Sequence, residues 1–178
     1  MESENNLNNL KENIEKKQSI EENKEKEEII AIKRVINYLR HCLEFATELE
    51  IAIPMTEKLL FSTTATDAIE SCTLLGIASK FGIVGSAIAI RDALFQVFHR
   101  DQSVRNNIAV VYKDLYLNKN ENQKSKRQKA LTCMRSLIDL LKELQPGQSQ
   151  ALTQLILIWY NNNDIDNEML QVLWETFQ

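Results

Sequence analysis

The chain has 178 residues, of which 44% are hydrophobic, so it is long enough and apolar enough to bury a core and is not a disordered chain. It has only four Gly and two Pro, too few for the frequent turns of a β-sandwich or an α/β fold, which favours helices joined by short polar links. Residues 1–30 contain nine Glu and five Lys and so account for the whole net charge of −4. The rest of the chain is neutral, so its net charge gives no argument for or against nucleic-acid binding.

The first 27 residues form an acidic segment with few apolar side chains. Burial of so few apolar groups would not compensate for the conformational entropy that the segment loses on folding. The composition therefore favours a disordered tail over a frayed helix. Residues 28–178 are the predicted helical segment. Its longest uncharged apolar run, Phe81 to Ile90, is about half of the roughly 20 residues that cross a bilayer, so we expect no membrane insertion.

Apolar residues recur at three- and four-residue steps through the second part of the chain, the period of an amphipathic helix. Pro54 should break or kink the first of these helices, with a short continuation through Leu59 and Leu60. Gly82 fits the left-handed position that follows a helix. The predicted helices are about Glu28 to Pro54, Asp67 to Phe81, Ile83 to Phe98, Val104 to Leu117, Lys124 to Leu144, Gln148 to Asn161 and Asp166 to Phe177.

The predicted helices recur with a fixed spacing. The helix that starts near Ile83 is followed about 40 residues later by one near Lys124, and the helix near Val104 about 44 residues later by one near Gln148. Helix pairs repeating at roughly 40–47 residues are typical of HEAT and armadillo proteins. The sequence therefore predicts an all-α fold, an α-solenoid of HEAT-like antiparallel helix pairs.

One short pattern marks the second helix of the central pair. Asp101 should cap the helix, and Val104 should fill the gap between the paired helices. Arg105 can reach an acidic group or a carbonyl in an adjoining repeat, and the favoured role is a hydrogen bond within its own repeat. Tyr112 and Leu115 complete this repeat-core signature on the inner face of the same helix. Arg91, one helix earlier, is expected to form a hydrogen bond within its own repeat.

A longer set of residues resembles the central HEAT segment of condensin subunit 1, the D2-type regulatory family. The resemblance covers about Lys33 to Gln178. It departs from the family at Asp92, at Phe98 and at Thr176, where a basic residue, Trp and Arg are usual. The residues that carry it are Thr63-Thr64, Asp67-Ala68-Ile69-Glu70, Phe81-Gly82-Ile83, Ile90-Arg91, Leu94, Phe98, Val104-Arg105, Tyr112, Leu115-Tyr116-Leu117 and Leu173-Trp174-Glu175-x-Phe177.

This resemblance implies a non-catalytic scaffold that supports mitotic chromosome condensation. The implied partners are the kleisin and SMC subunits of condensin and, in addition, DNA or chromatin. The implied location is the nucleus and chromosome, with a cytoplasmic pool. A D3-type subunit is an alternative relative. A generic α-solenoid adaptor unrelated to chromosomes is the alternative function.

The only basic cluster is a candidate for contacts with DNA phosphates, although a solvated linker is the commoner meaning of such a run. Its members are Lys119, Lys124, Lys126, Arg127 and Lys129. His41 and His99 have no nucleophile or carboxylate partner in the sequence pattern, so we expect no enzyme, cofactor, metal or small-molecule substrate.

Two further expectations concern side-chain burial. The three cysteines lack metal-site spacing and are expected to be reduced thiols in the core. The aromatic residues Trp159, Tyr160, Trp174 and Phe177 are expected to form an exposed apolar patch at the C-terminal end, where a further repeat would cover them.

Overall fold

The computed structural model describes residues 2–118 and 125–176, and for residues 2–23 and 176 it describes the backbone alone. This part of the chain contains helices and no strand, which confirms the predicted all-α class. The chain forms two units, Met1–Thr47 and Glu48–Gln178. The helices are α1 (Glu2–Leu59), α2 (Ala65–Lys80), α3 (Ser86–Ala93), α4 (Gln102–Tyr116), α5 (Lys126–Glu143), α6 (Pro146–Asn161) and α7 (Asn167–Thr176), with a 3₁₀ turn (Leu94–Phe98) directly after α3.

Helix α1 begins much earlier than its apolar pattern predicts. The backbone is helical from Glu2 onward, so the structure has the helical alternative where the composition favours a disordered tail. Glu and Lys, which dominate this segment, are good helix formers even without a core to pack on. The domain boundary near residue 27 stays a prediction, because α1 passes it without interruption.

Pro54 does not end α1, which continues to Leu59 as the predicted continuation requires. Proline removes one backbone donor and leaves the carbonyl four residues earlier, that of Glu50, without its helical partner. Glu50 is exposed, so water can satisfy that carbonyl and the helix tolerates the proline.

The first unit consists of a single helical segment, so its large apolar side chains are exposed although they follow a helical period. They span Ile29 to Phe45, and at 100° per residue six of them lie within about a third of the helix circumference: Ile29, Ile32, Val35, Ile36, Leu39 and Leu43. A sequence pattern shows which face can be buried, whereas burial itself needs a second element.

In the second unit, α4 lies at the centre of the packing. It contacts α2, the 3₁₀ turn, α5 and α6. Its inner face is buried at Val104, Ile108, Tyr112 and Leu115. This is the face that the helical period of α4 selects, so the predicted core face of this helix is confirmed.

Helix α2 approaches α4 closely because residue 76 has no side chain. A Cβ atom added at Gly76 would lie 2.5 Å from Val111 Cγ1, closer than real Cβ contacts. Glycine therefore sets the distance between these two helices.

The helix predicted from Ile83 to Phe98 differs in two ways from the observed element. Its α-helical part begins only at Ser86, because Gly82 and Gly85 both have positive φ and form a double turn after α2. The last turn, Leu94–Phe98, has 3₁₀ geometry. Gly82 does occupy the left-handed position predicted after α2.

The predicted repeat spacing is confirmed by the observed helix starts. Ser86 and Lys126 begin α3 and α5, 40 residues apart, and Gln102 and Pro146 begin α4 and α6, 44 residues apart. Corresponding helices of successive pairs contact each other, α2 with α4 and α5 with α7. This is the stacking of an α-solenoid of HEAT-like antiparallel helix pairs.

Candidate functional site

The repeat-core signature begins with the cap of α4. Asp101 Oδ1 accepts hydrogen bonds from the Ser103 backbone N–H at 2.8 Å and from Ser103 Oγ at 2.7 Å. These hydrogen bonds hold the pKa of the Asp101 carboxyl below its ordinary value, and the charges of His99 and Arg105 lower it further. The predicted cap is therefore present and ionised at neutral pH.

Arg105 binds the loop that precedes its own helix, which confirms the favoured hydrogen bond within its own repeat and not the contact with an adjoining repeat. Its guanidinium donates to the backbone carbonyls of His99 and Arg100 and to the side-chain oxygen of Gln102. A planar cation with several donors can satisfy the carbonyls of a tight loop that have no other backbone partner. Arg105 therefore fixes the connection between the 3₁₀ turn and α4.

The aromatic member of the signature joins the two helices of the central pair. Tyr112 is fully buried, and its hydroxyl donates to the backbone carbonyl of Ile90 at 2.6 Å. Burial raises the pKa of Tyr112 well above its ordinary value, so the phenol stays neutral and remains a donor. The Tyr116 ring stacks against it with centroids 5.5 Å apart. Tyr112 thus satisfies a carbonyl of α3 inside the core.

Trp159 holds α6 against α4, and its predicted exposure at the C-terminal end is wrong. Its side chain is fully buried and its indole N–H donates to the backbone carbonyl of Ala109 at 2.9 Å. Tyr160 and Trp174 are exposed as predicted, with Trp174 70% exposed. Phe177 lies outside the described residues. Helical phase separates Trp159 from Tyr160, because successive residues point about 100° apart.

Arg91 forms an ion pair with Glu143 of α5, in the next helix pair. The expectation of a hydrogen bond within its own repeat is therefore wrong. Lys113 and Asp164 form a second long-range pair, between α4 and the α6–α7 link. Lys80 and Asp114 form a third, between α2 and α4. These partly exposed pairs contribute little stability individually, and they set the register between neighbouring helices.

Asp92, a departure from the family pattern, has a partner that sequence reasoning missed. Gln148 of α6 donates from Nε2 to Asp92 Oδ1 at 2.7 Å, while its Oε1 accepts from the Gln145 backbone N–H at 3.0 Å. Gln148 thereby caps α6 and ties it to α3. The pKa of Glu57 is raised by burial and by a hydrogen bond to Asp92. No local pattern could have indicated a contact between residues 56 positions apart.

The described part of the basic cluster lies at the start of α5, and its residues have unequal surroundings. Arg127 Nη2 donates to Glu175 Oε2 at 2.7 Å, and its Nη1 lies 3.6 Å from Glu168 Oε1. Lys126 is exposed and Lys129 is half-buried near Cys133. Lys119 and Lys124 lie outside the described residues. Any phosphate bound by Arg127 competes with two carboxylates of α7.

The thiols follow the core prediction at two of the three positions. Cys72 and Cys133 are buried, whereas Cys42 is exposed, which corrects the prediction for that residue. Burial raises the pKa of Cys72 to about 12, and burial also raises that of Cys133. Protonated, enclosed thiols are poor nucleophiles.

No group of three or more His, Cys, Asp or Glu side chains suited to a metal ion occurs among the described residues.

The second unit has several concave surfaces, and two of them are the most apolar and the most voluminous of those described. One is an apolar groove of about 240 Å³ between α5, α6 and α7, lined by Leu137, Leu152 and Met169 among others. The other is a pocket of about 490 Å³ between the α1–α2 link and the loop before α4.

No helix in the described part of the chain is long and apolar enough to cross a membrane.

Comparison with known proteins tests the resemblance that these residues suggest. The chain is 29% identical over 143 residues to condensin complex subunit 1 of Xenopus laevis, which covers 80% of this chain and 10% of that protein. It is 24% identical over 149 residues to the same subunit of Mus musculus, covering 84% of this chain and 11% of the relative. The chain is thus similar to an internal segment of condensin complex subunit 1.

The predicted resemblance is therefore confirmed, and it extends to distant organisms. Condensin complex subunit 1 of Saccharomyces cerevisiae is 25% identical over 154 residues, covering 84% of this chain and 13% of the relative. The chain spans about a tenth of the length of the curated condensin relatives that it matches. No family model matches the chain.

Proposed function

We propose that this chain is a non-catalytic HEAT-repeat scaffold of the condensin type, which supports chromosome condensation in the nucleus by binding other condensin subunits and DNA. The observation that carries the proposal is the 29% identity over 80% of the chain to condensin complex subunit 1. The stacked helix pairs of the second unit supply the extended surfaces that solenoid proteins use for binding.

The burial of the matched residues favours a scaffold over a catalyst. Tyr112, Val104 and Leu115 are buried among neighbouring helices. Each has a packing or hydrogen-bonding role between helices, as in a solenoid whose surface binds macromolecules. The implied partners are the kleisin and SMC subunits of condensin.

A binding measurement tests the protein partner. The full chain, carrying an affinity tag, is mixed with the purified kleisin subunit of condensin, and binding is followed by pull-down and calorimetry. We expect a stoichiometric complex. A chain that folds but fails to retain the kleisin at low salt contradicts the condensin role. The alternative, a solenoid adaptor unrelated to chromosomes, predicts this negative result.

A second measurement tests DNA contact by the basic cluster. Affinity for a duplex is measured at several salt concentrations for the wild type, Lys126→Glu and Arg135→Glu. Both substitutions reverse an exposed cation of α5, but only Lys126 belongs to the basic cluster. We expect Lys126→Glu to weaken binding and to reduce the salt slope by about 1 if one phosphate contact is lost. Equal effects of the two variants contradict a localised phosphate site.

A further inference from the structure

The pocket between the α1–α2 link and the loop before α4 has features that none of the functions above uses. Its volume is about 490 Å³. We call it the aromatic pocket, defined by Phe61, Phe95 and Phe98 on its walls and by His99 and Arg100 on its rim. All of these residues belong to the second unit.

The floor of the aromatic pocket is fixed by a buried hydrogen bond. Gln96 Nε2 donates to the backbone carbonyl of Leu60 at 2.6 Å, and both residues are almost fully buried. This bond joins the α1–α2 link to the 3₁₀ turn. The two sides of the pocket are therefore held at a set separation before any partner arrives, which lowers the ordering cost of binding.

Three phenylalanine rings of the walls are exposed to solvent. Phe61 is 58% exposed, Phe98 is 54% exposed and Phe95 is 39% exposed. Clustered aromatic rings at a concave site supply apolar area for a side chain of a partner. Single exposed apolar residues are ordinary, whereas a preformed cluster around a cavity indicates recognition.

The rim carries one guanidinium and one imidazole, and the carboxylates beside it already have partners: Asp67 accepts from Ser62 Oγ at 2.8 Å and Asp101 accepts from Ser103. Arg100 is exposed, and no described carboxylate forms an ion pair with it. His99 Nδ1 accepts from the Asp101 backbone N–H at 3.0 Å, so the neutral ring carries its proton on Nε2. Arg105 binds the carbonyls of His99 and Arg100 and thereby positions both rim residues.

We propose that the aromatic pocket binds an acidic peptide segment of a partner protein, with one aromatic or large aliphatic side chain of that segment packed against Phe61 and Phe98 and a neighbouring carboxylate paired with Arg100. The charge of the rim selects an anionic ligand, and the apolar walls select a ligand with an apolar anchor. This proposal is independent of the condensin relationship.

A peptide fits this site better than single-stranded nucleic acid does. Nucleic acid needs a track of cations that follows successive phosphates, in addition to rings on which bases stack. The lining of the pocket offers a single guanidinium and one imidazole, beside the hydroxyls of Ser62 and Thr63. One anchor position beside one cation matches a side chain followed by a carboxylate.

The experiment uses the full chain and a short capped peptide in which glutamates flank one phenylalanine. Chemical shifts of the protein and the fluorescence anisotropy of the labelled peptide are measured during titration. Three further probes are used: the same peptide with alanine in place of phenylalanine, the same peptide with lysines in place of glutamates, and oligothymidylate. We expect the first peptide to bind and each altered peptide to bind at least about tenfold more weakly.

Matched variants locate the binding. Arg100→Glu and Phe98→Ala should each weaken the phenylalanine peptide about tenfold or more. Their controls are Arg135→Glu, which reverses another exposed arginine, and Phe81→Ala, which removes a phenylalanine that is 80% exposed elsewhere in the unit. The controls should bind as the wild type does. Far-ultraviolet circular dichroism checks that each variant is folded.

Several outcomes overturn the proposal. Absence of peptide binding at millimolar concentration to the folded wild type rejects the site. Equal affinity for the alanine peptide rejects the aromatic anchor. Oligothymidylate binding that depends on Phe98 and Arg100, without peptide binding, assigns the pocket to nucleic acid. Retained peptide binding in Arg100→Glu places the peptide elsewhere on the molecule.

Discussion

The indole Nε1 of Trp159 lies 2.9 Å from the backbone carbonyl oxygen of Ala109 and donates a hydrogen bond to it within the core. Ala109 belongs to α4 and Trp159 to α6, so this bond connects successive helix pairs. The largest side chain of the core thus has its only polar atom satisfied by the central helix of the unit.

Replacement of Trp159 by phenylalanine tests this connection. The substitution removes the N–H donor and leaves a void beside α4, so we expect a loss of about 1–3 kcal/mol in the free energy of unfolding. Urea unfolding followed by circular dichroism measures it. Trp174→Phe is the matched control, because Trp174 is 70% exposed, and it should leave stability unchanged. Equal losses in both variants contradict the assigned burial.

Gly76→Ala tests the close approach of α2 and α4. The added methyl would lie 2.5 Å from Val111 Cγ1, and overpacking of this kind typically costs about 1–3 kcal/mol, more than the gain of up to about 1 kcal/mol in helix propensity. We therefore expect net destabilisation in thermal and urea unfolding.

The same substitution in a Val111→Ala background reverses the expected sign. The obstructing Cγ1 atom is then absent, so alanine at position 76 should stabilise the helix through its propensity alone. The double-mutant cycle measures the interaction between the two positions. An effect of Gly76→Ala that is the same in both backgrounds shows that Val111 does not limit the helix approach.

Asp101 predicts a specific dependence of stability on pH. Its pKa is lowered in the folded state by hydrogen bonds from Ser103, so its contribution is present above the ordinary carboxyl pKa of 3.8 and is lost as the pH falls through the lowered value. Asp101→Asn keeps a good capping residue without the charge. The stability difference between wild type and Asp101→Asn should change in the acid range, as the pH falls through the carboxyl pKa. A difference that stays the same throughout the acid range contradicts the assigned role of the Asp101 carboxylate.

The ion pairs of Arg127 predict that charge reversal has different effects along the basic cluster. Arg127→Glu would place three carboxylates together, with Glu168 and Glu175, whereas Lys126→Glu would not. We expect Arg127→Glu to lower stability by up to about 1 kcal/mol at low salt, and less at high salt, because the site is half exposed. Lys126→Glu should be neutral. Salt-independent destabilisation by Arg127→Glu contradicts an electrostatic origin.

The sequence predicted well those features that depend on residues close together in the chain. The cap at Asp101 needs only Ser103 two residues later, and the positive φ of Gly82 needs only the end of α2. The 40- and 44-residue spacing of helix starts is likewise a property of the linear pattern. The candidate basic cluster was recognisable for the same reason, as a local run of cations.

Contacts between residues that are distant in the chain could not be predicted from local sequence patterns. Arg91 pairs with Glu143, Gln148 with Asp92, and Arg127 with Glu175, each across about 50 residues. Trp159 gave no sign in the sequence that it was the anchor of the core and Tyr160 its exposed neighbour. The aromatic pocket could not be predicted from the sequence, because its walls come from two segments that are distant in the chain, the α1–α2 link and the 3₁₀ turn with the loop before α4.

Returning to Trp159 and Ala109, the sequence by itself determined that both lie on helices, that the helices repeat in pairs and that the chain resembles condensin subunit 1. These properties follow from periodicity, capping and residue identity, which are encoded locally. Only the tertiary structure decided that the two residues meet, because the distance between helices depends on close packing of every side chain between them. The same packing decided that the apolar face of α1 in the first unit is exposed, since that unit contains no second helix to cover it.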